Sequence, residues 1–211
     1  MFLTKLKLRS KEAIFKNVYD AHQALWELFA DRPDRKRDFL FREIDAENYL
    51  ALSAREPVDH KGVWRMAVKP YAPKLAAGDR LYVSLRANAV VKRKGADGKQ
   101  DRFDVVQDAR KPYKERGEEP PPRAWLAQEY GTRWLLKRQD DLGLCFEDSS
   151  LVVESYALRR YWRDGHEVKF GTLDFAGFAE VCDADKALDA LRNGIGPAKG
   201  FGCGLVLARR A

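Results

Sequence analysis

Tyr19, His22 and Trp26 stand at i, i+3 and i+7 of a segment with helical apolar spacing. They therefore share one stripe of that helix. An imidazole with an ordinary pKa near 6.5 gives or takes a proton at neutral pH, and a neighbouring phenol positions a nucleophile or assists the transfer. The same stripe also fits a half-buried aromatic patch. A second group lies near the end of the chain. Gly194, Gly196, Lys199, Gly200, Gly202 and Gly204 place five glycines and a lysine within eleven residues. Glycines let backbone N–H groups approach a ligand closely, and such groups beside a lysine hold phosphate oxygens. Lys199 precedes Gly200 with no Ser or Thr after it, so this is not a nucleotide-binding P-loop. The order helix, glycine loop, strand is also the reverse of a dinucleotide fingerprint. It suits a loop laid along a polynucleotide backbone, and equally a tight connection.

Two basic clusters accompany these groups. Asp164-Gly165 signals a two-residue hairpin that sets Arg163 opposite His166, Tyr161 opposite Val168 and Arg160 opposite Lys169. Arg159, Arg160, Arg163 and Lys169 then crowd the tip, with Tyr161 and Trp162 among them. Like charges across a ribbon destabilise it, and a polyanion relieves them. A basic ribbon fits an RNA groove where a helix ends or loops. It also fits a solvated edge that resists aggregation. Arg35, Lys36 and Arg37 follow the first helix, where they also complement its dipole.

The chain has 211 residues, 45% of them hydrophobic, and a net charge of +7. That is enough apolar content for a real core, and the charge favours a polyanionic partner. No apolar run approaches a membrane span. Cys145, Cys182 and Cys203 are odd in number and widely spaced, which argues against a disulfide framework and fits a reducing cytoplasm. His22, His60 and His166 are scattered, and no paired metal-ligand spacing occurs, so no metal or other cofactor is expected.

The elements that must position these residues read as follows. Residues 2–8 alternate as a strand, and a helix is predicted over Lys11–Phe29 with Ile14, Val18, Ala21, Leu25 and Leu28 as its core stripe. Strands follow at 39–44, 49–54 and 63–68. The stretch 70–79 is a connection with one helical turn, and 80–92 is one long strand. Residues 94–122 read as a variable loop or linker with one short strand near 103–106. A helix is predicted over 123–138, with Trp125 among its apolar contacts. Strands follow at 144–146, 151–163 and 166–175, then a helix over 184–192 capped by Asp183, and a strand at 205–207. This order fits an α+β protein of two tandem ferredoxin-like, RRM-like β-α-β-β-α-β units. The expected boundaries are 1–93 for the first unit, 94–122 for the linker and 123–211 for the second.

Segment 19–29, segment 37–42, the Arg-rich hairpin into Val168-Lys169-Phe170 and the terminal run 194–205 together resemble the CRISPR repeat-processing endoribonucleases of type I-E Cascade, the CasE family. The resemblance runs end to end and is loosest in the middle. It implies a pair of ferredoxin-like domains that bind the stem-loop of CRISPR repeat RNA and cut at the 3′ base of the stem without a metal. A 2′-hydroxyl attacks the adjacent phosphorus and leaves a 2′,3′-cyclic phosphate or 3′-phosphate and a 5′-hydroxyl. The family histidine falls on His22 and its tyrosine on Tyr19. The resemblance further implies a crRNA product kept by the protein, other Cascade subunits as partners, and no membrane. Two other classes fit the residues alone: a non-catalytic RNA-binding subunit, and a small-molecule enzyme whose glycine loop holds a nucleotide.

Overall fold

The computed structural model describes residues 1–10, 14–31, 37–94, 98, 100–163 and 165–211. Strand β1 (Phe2–Leu8) alternates as its sequence does, with Thr4, Leu6 and Leu8 buried and Lys5 and Lys7 exposed. Helix α1 (Val18–Glu27), β2 (Phe39–Glu43), β3 (Asn48–Ser53) and β4 (Trp64–Pro70) complete the first layer. Its sheet is antiparallel in the order β2-β3-β1-β4, the ferredoxin-like order. Ala21, Leu25 and Leu28 of the α1 region pack on Leu6, Leu8, Phe39 and Trp64. The crossover expected to carry a second helix, residues 54–63, is irregular.

The second sheet is built from β5 (Arg80–Ala87), β8 (Leu144–Phe146), β9 (Val152–Arg163), β10 (His166–Val181) and β11 (Val206–Arg210). Its order is β11-β5-β10-β8, with β9 also paired to β10. It again follows the ferredoxin-like order, covered by α3 (Arg123–Leu136), the short α4 (Gln139–Leu142) and α5 (Ala184–Asn193). Leu40 and Leu52 of the first sheet meet Leu205, which leads into β11 of the second, and join the two.

Several expectations are corrected. The strand predicted over 80–92 breaks at Asn88-Ala89, and β5 belongs to the second sheet, so sheet membership changes within 71–79 rather than after 93. Alternating burial looks the same in either sheet, so the pattern carries no sign of which neighbours it finds. The connection 70–79 holds no helical turn. The stretch 94–122 is no linker: β6 (Val90–Lys94) and β7 (Gln100–Asp104) form a ribbon, and α2 (Val105–Glu115) buries Val105, Val106 and Ala109 in the second core. Asp104 caps α2 through its carboxylate, which accepts from Val106 N and Gln107 N at 2.9 Å each. Pro112 inside this helix hid it, because proline removes a helical donor. Trp125 points outward and is exposed.

Cys145 and Cys182 form a disulfide, contrary to expectation. β8 pairs with the end of β10, with Cys145 opposite Glu180, which draws together two residues 37 apart in sequence. Cys203 is buried and free. Among the described residues no helix is long and apolar enough to cross a membrane.

Candidate active site

Helix α1 starts at Val18 rather than Lys11, which lies outside the described residues. The Asn17 side chain accepts from Tyr19 N at 2.8 Å and Asp20 N at 3.0 Å, satisfying donors a helix start leaves open. Ile14, placed by pattern in the core stripe, precedes the helix and is exposed. With Ala21 and Leu25 turned to the first core, Tyr19 and His22 face the second unit, while Trp26 packs on Phe39 of the first. The His22 ring lies 5.3 Å from Phe201, 5.9 Å from Trp26 and 6.2 Å from Tyr19, centroid to centroid. Tyr19 stacks on Tyr161 of β9 at 5.6 Å and 11°. Phe201 touches Tyr161 at 4.9 Å and Phe170 of β10 at 5.7 Å. Tyr19 and His22 do face one volume, and its far wall is three rings of the second unit.

Phe201 is held there by a 3₁₀ turn over Lys199–Phe201 in the glycine run. Gly200 of that turn lies close to two cationic or protonatable groups. A Cβ on it would lie 3.5 Å from His22 Cε1, 3.6 Å from His22 Nδ1 and 3.2 Å from Arg37 Nη1. Arg37 thus joins the site. Among the described residues no carboxylate pairs with it, and burial lowers its pKa. Lys199 donates from Nζ to Asn193 O at 2.8 Å and Gly194 O at 3.0 Å, so two of its three protons cap α5. Burial, then the Arg37 charge, lower its pKa against the pull of Asp189.

The other glycines serve the loop itself. A Cβ on Gly194 would meet Gly204 O at 2.5 Å, and one on Gly204 would meet Ile195 O at 2.5 Å. Gly202 has φ +82° and lies against the Phe41 ring, and Gly196 has φ +71° beside Trp134. Of the five, Gly200 faces His22, and the other four have a positive φ within the loop.

The basic hairpin has the expected register, with Arg160 opposite Lys169 and Arg163 opposite His166. Paired residues share a face and neighbours alternate, so the cluster divides. Arg159, opposite Phe170, lies on the Tyr161 side, while Arg160 and Lys169 lie on the other. Lys169 pairs with Glu167 at 2.6 Å and Arg159 with Glu43 at 3.4 Å, which relieves part of the repulsion inside the protein. Arg35 and Lys36 lie outside the described residues, as does the side chain of Arg163. A cavity of about 280 Å³ opens between the start of α1 and β9, lined by Asn17, Val18, Phe41, Glu43, Arg159 and Phe201.

A buried ionic network locks the two sheets behind this site. Asp174 of β10 accepts from Arg86 Nε at 2.8 Å, Arg86 Nη2 at 3.0 Å and Ser155 Oγ at 2.7 Å, and pairs with Arg42 at 3.6 Å. Arg42 also donates to Ser84 Oγ at 2.7 Å, and Arg86 to Glu43 O at 3.2 Å. Burial alone would raise the Asp174 pKa; the bonds from Arg86 and Ser155 and the charges of Arg86 and Arg42 outweigh it and hold it below the usual carboxylate value. Burial pushes the Cys203 thiol up to about 12, so it is no nucleophile at neutral pH.

Residues 1–210 match the family described as "CRISPR associated protein". This chain belongs to that family. Among relatives, the CRISPR system Cascade subunit CasE of Escherichia coli (strain K12) is 30% identical, with 98% of each chain covered. The CRISPR-associated endoribonuclease Cse3 of Thermus thermophilus is also 30% identical, again with 98% of each covered. The solved structure of CRISPR endoribonuclease Cse3 bound to a 19 nt RNA superposes with a TM-score of 0.72 at 25% identity, covering 99% of this chain and 98% of that one.

In this CRISPR-associated chain His22, Tyr19 and Arg37 are legible from local sequence, and their neighbours are not. Phe201 is a lone aromatic among glycines, and Tyr161 and Phe170 belong by pattern to the hairpin alone. The usable signal was an aromatic residue inside a glycine run, where flexibility alone needs none. Arg42, Arg86 and Asp174 are charges within otherwise apolar strands, a pattern that marks a buried pair.

Proposed function

We propose that this chain is a metal-independent endoribonuclease that binds the stem-loop of CRISPR repeat RNA, cuts at the 3′ base of the stem and stays with the crRNA as a Cascade subunit in the cytoplasm. The observation that carries this reading is the approach of both His22 and Arg37 to Gly200, on a chain related along its length to CasE and Cse3. In the reaction the 2′-oxygen attacks the adjacent phosphorus and the bond from phosphorus to the 5′-oxygen breaks. The 2′-hydroxyl proton is taken up, the leaving 5′-oxygen is protonated, and a 2′,3′-cyclic phosphate and a 5′-hydroxyl result. His22 carries proton transfer at this phosphate, and Tyr19, held flat against Tyr161, orients the reacting nucleotide. Arg37, with the remaining proton of Lys199, stabilises charge that develops on the phosphorane oxygens. This set is small, so much of the rate comes from holding the attacking oxygen in line. Arg159, Arg160, Arg163 and Lys169 of the hairpin, with Arg35 and Lys36, bind the RNA backbone.

The test is cleavage of a CRISPR repeat stem-loop in excess EDTA, beside a substrate with a single 2′-deoxy at the scissile nucleotide. Cutting of the all-ribose RNA alone is expected, with a cyclic phosphate or 3′-phosphate end. Loss of cutting in EDTA would contradict metal independence. Tight binding with neither substrate cut would make the chain an RNA-binding subunit instead.

A further inference from the structure

A cavity of about 990 Å³ lies away from His22, between the β6–β7 ribbon and α3. Its wall carries Lys92, Arg93, Arg102, Arg133, Lys137 and Arg138 against a single carboxylate, Asp108. Three of these cations are already engaged. Arg93 pairs with Asp108 at 2.7 Å, Arg133 with Glu129, and Arg138 donates to Trp134 O at 2.7 Å. Lys92, Arg102 and Lys137 are exposed and have no carboxylate partner among the described residues. Lys92 and Arg102 are directly opposite in the ribbon, a like-charge pair that weakens it unless an anion lies across both.

The groove is joined to the candidate active site by the chain itself. Gly196 and Pro197 form part of its wall, and Gly200 lies against His22. The three residues from Pro197 to Gly200 span at most about 11 Å. An anionic chain whose reacting phosphate sits at His22 therefore reaches the groove directly. If cutting falls at the 3′ base of the stem, the strand leaving that phosphate away from the stem is the 3′ flank.

We propose that the groove between β6–β7 and α3 binds the single-stranded 3′ flank of the substrate through Lys92, Arg102 and Lys137. This rests on the proposed ribonuclease reading. The flank is held by its phosphates, so the hold is sequence-tolerant and salt-sensitive, and the released 3′ fragment leaves faster as salt rises.

The test measures equilibrium binding against salt with RNAs made uncleavable by a 2′-deoxy at the scissile nucleotide. Three are compared: the bare stem-loop, the stem-loop with a 3′ flank, and the stem-loop with a 5′ flank. Wild type is set beside the triple variant Lys92→Ala, Arg102→Ala, Lys137→Ala, whose folding is checked by its melting curve. In wild type the 3′ flank is expected to steepen the slope of log K against log salt by about 2, for three single-strand contacts at about 0.7 each. In the variant the added slope disappears while bare stem-loop affinity is kept. Equal slopes for all three RNAs in wild type overturn the proposal, as does a steepening by the 5′ flank alone. An equal loss for bare and flanked RNA in the variant overturns it too, by assigning the groove to the stem. Bare stem-loop binding reports on the ribonuclease reading separately, and failure of His22 chemistry leaves this readout intact.

Discussion

Gly194 and Gly200 stand in one loop, yet their replacement by alanine is expected to do opposite things. Gly194 has φ +65° and ψ 176°, a region open essentially to glycine alone. Occupying it with alanine costs about 1–3 kcal/mol. The new Cβ would also meet Gly204 O at 2.5 Å and Leu40 Cδ1 at 2.8 Å, and the first is backbone that cannot swing away. A loss of about 2 kcal/mol or more follows, which for a chain of this size lowers Tm by about 4–8 °C. Gly200 needs no positive φ, and its Cβ meets the ends of two side chains, with Arg37 Nη1 nearest at 3.2 Å. Gly200→Ala is therefore expected to melt within about 2 °C of wild type, because a compatible alanine also lowers the entropy of the unfolded chain. It fills space beside His22 and Arg37, however, and pushes the guanidinium aside. Misplacement by about 1 Å costs about a hundredfold, so a shift of a few tenths of an ångström plus lost space should slow cleavage about tenfold or more. The assay is thermal unfolding by circular dichroism together with single-turnover cleavage of a repeat stem-loop. Wild-type cleavage by Gly200→Ala, or a Gly194→Ala protein that melts no earlier than Gly200→Ala, would refute this division of the glycines.

Asn17→Ala should cost about 1 kcal/mol through loss of the α1 cap, and hydrogen exchange at the Tyr19 and Asp20 amides should accelerate; unchanged exchange would contradict the capping role. Phe201→Ala removes ring contacts with His22, Tyr161 and Phe170, each worth about 0.5–1.5 kcal/mol beyond burial. It should slow cleavage in single-turnover assays with RNA affinity kept in a filter-binding assay, and an unaltered rate would count against the ring as a support of His22. Asp174 has a folded pKa below its ordinary 3.8, so its contribution is complete above that value and is lost as pH falls through the folded value. Asp174→Ala should cost about 3–5 kcal/mol near neutral pH, by leaving Arg42 buried without its carboxylate and Arg86 with Glu43 alone. Its stability should also fall less steeply below pH 3.8 in acid unfolding curves; parallel acid limbs for variant and wild type would contradict the network.

What could be read from the sequence was local. The Tyr19, His22, Trp26 stripe depends only on helical spacing, and the Arg160–Lys169 pairing only on a two-residue turn at Asp164-Gly165. The family resemblance extended this to the fold order and to RNA, and membership in the family agrees with it. What escaped was set by tertiary placement. No local pattern says that Phe201 will rest on His22, far earlier in the chain, or that Glu43 of β2 will neutralise Arg159 of β9. Register alone put Arg159 and Arg160 in one cluster, while the pleat turns them to opposite faces. Helix α2 was obscured by Pro112, although Asp104 three residues before Gln107 has the spacing of a capping box. The start of α1 was overrun because Ile14 continued the apolar period into a segment that Asn17 ends.

The most direct measurement of the central claim is single-turnover cleavage of a CRISPR repeat stem-loop by His22→Ala, with the affinity of the same protein for the uncleavable 2′-deoxy RNA. Unchanged affinity is expected, with a rate at least about a hundredfold below wild type, the scale of a lost general acid–base group. Cleavage at the wild-type rate would contradict that claim.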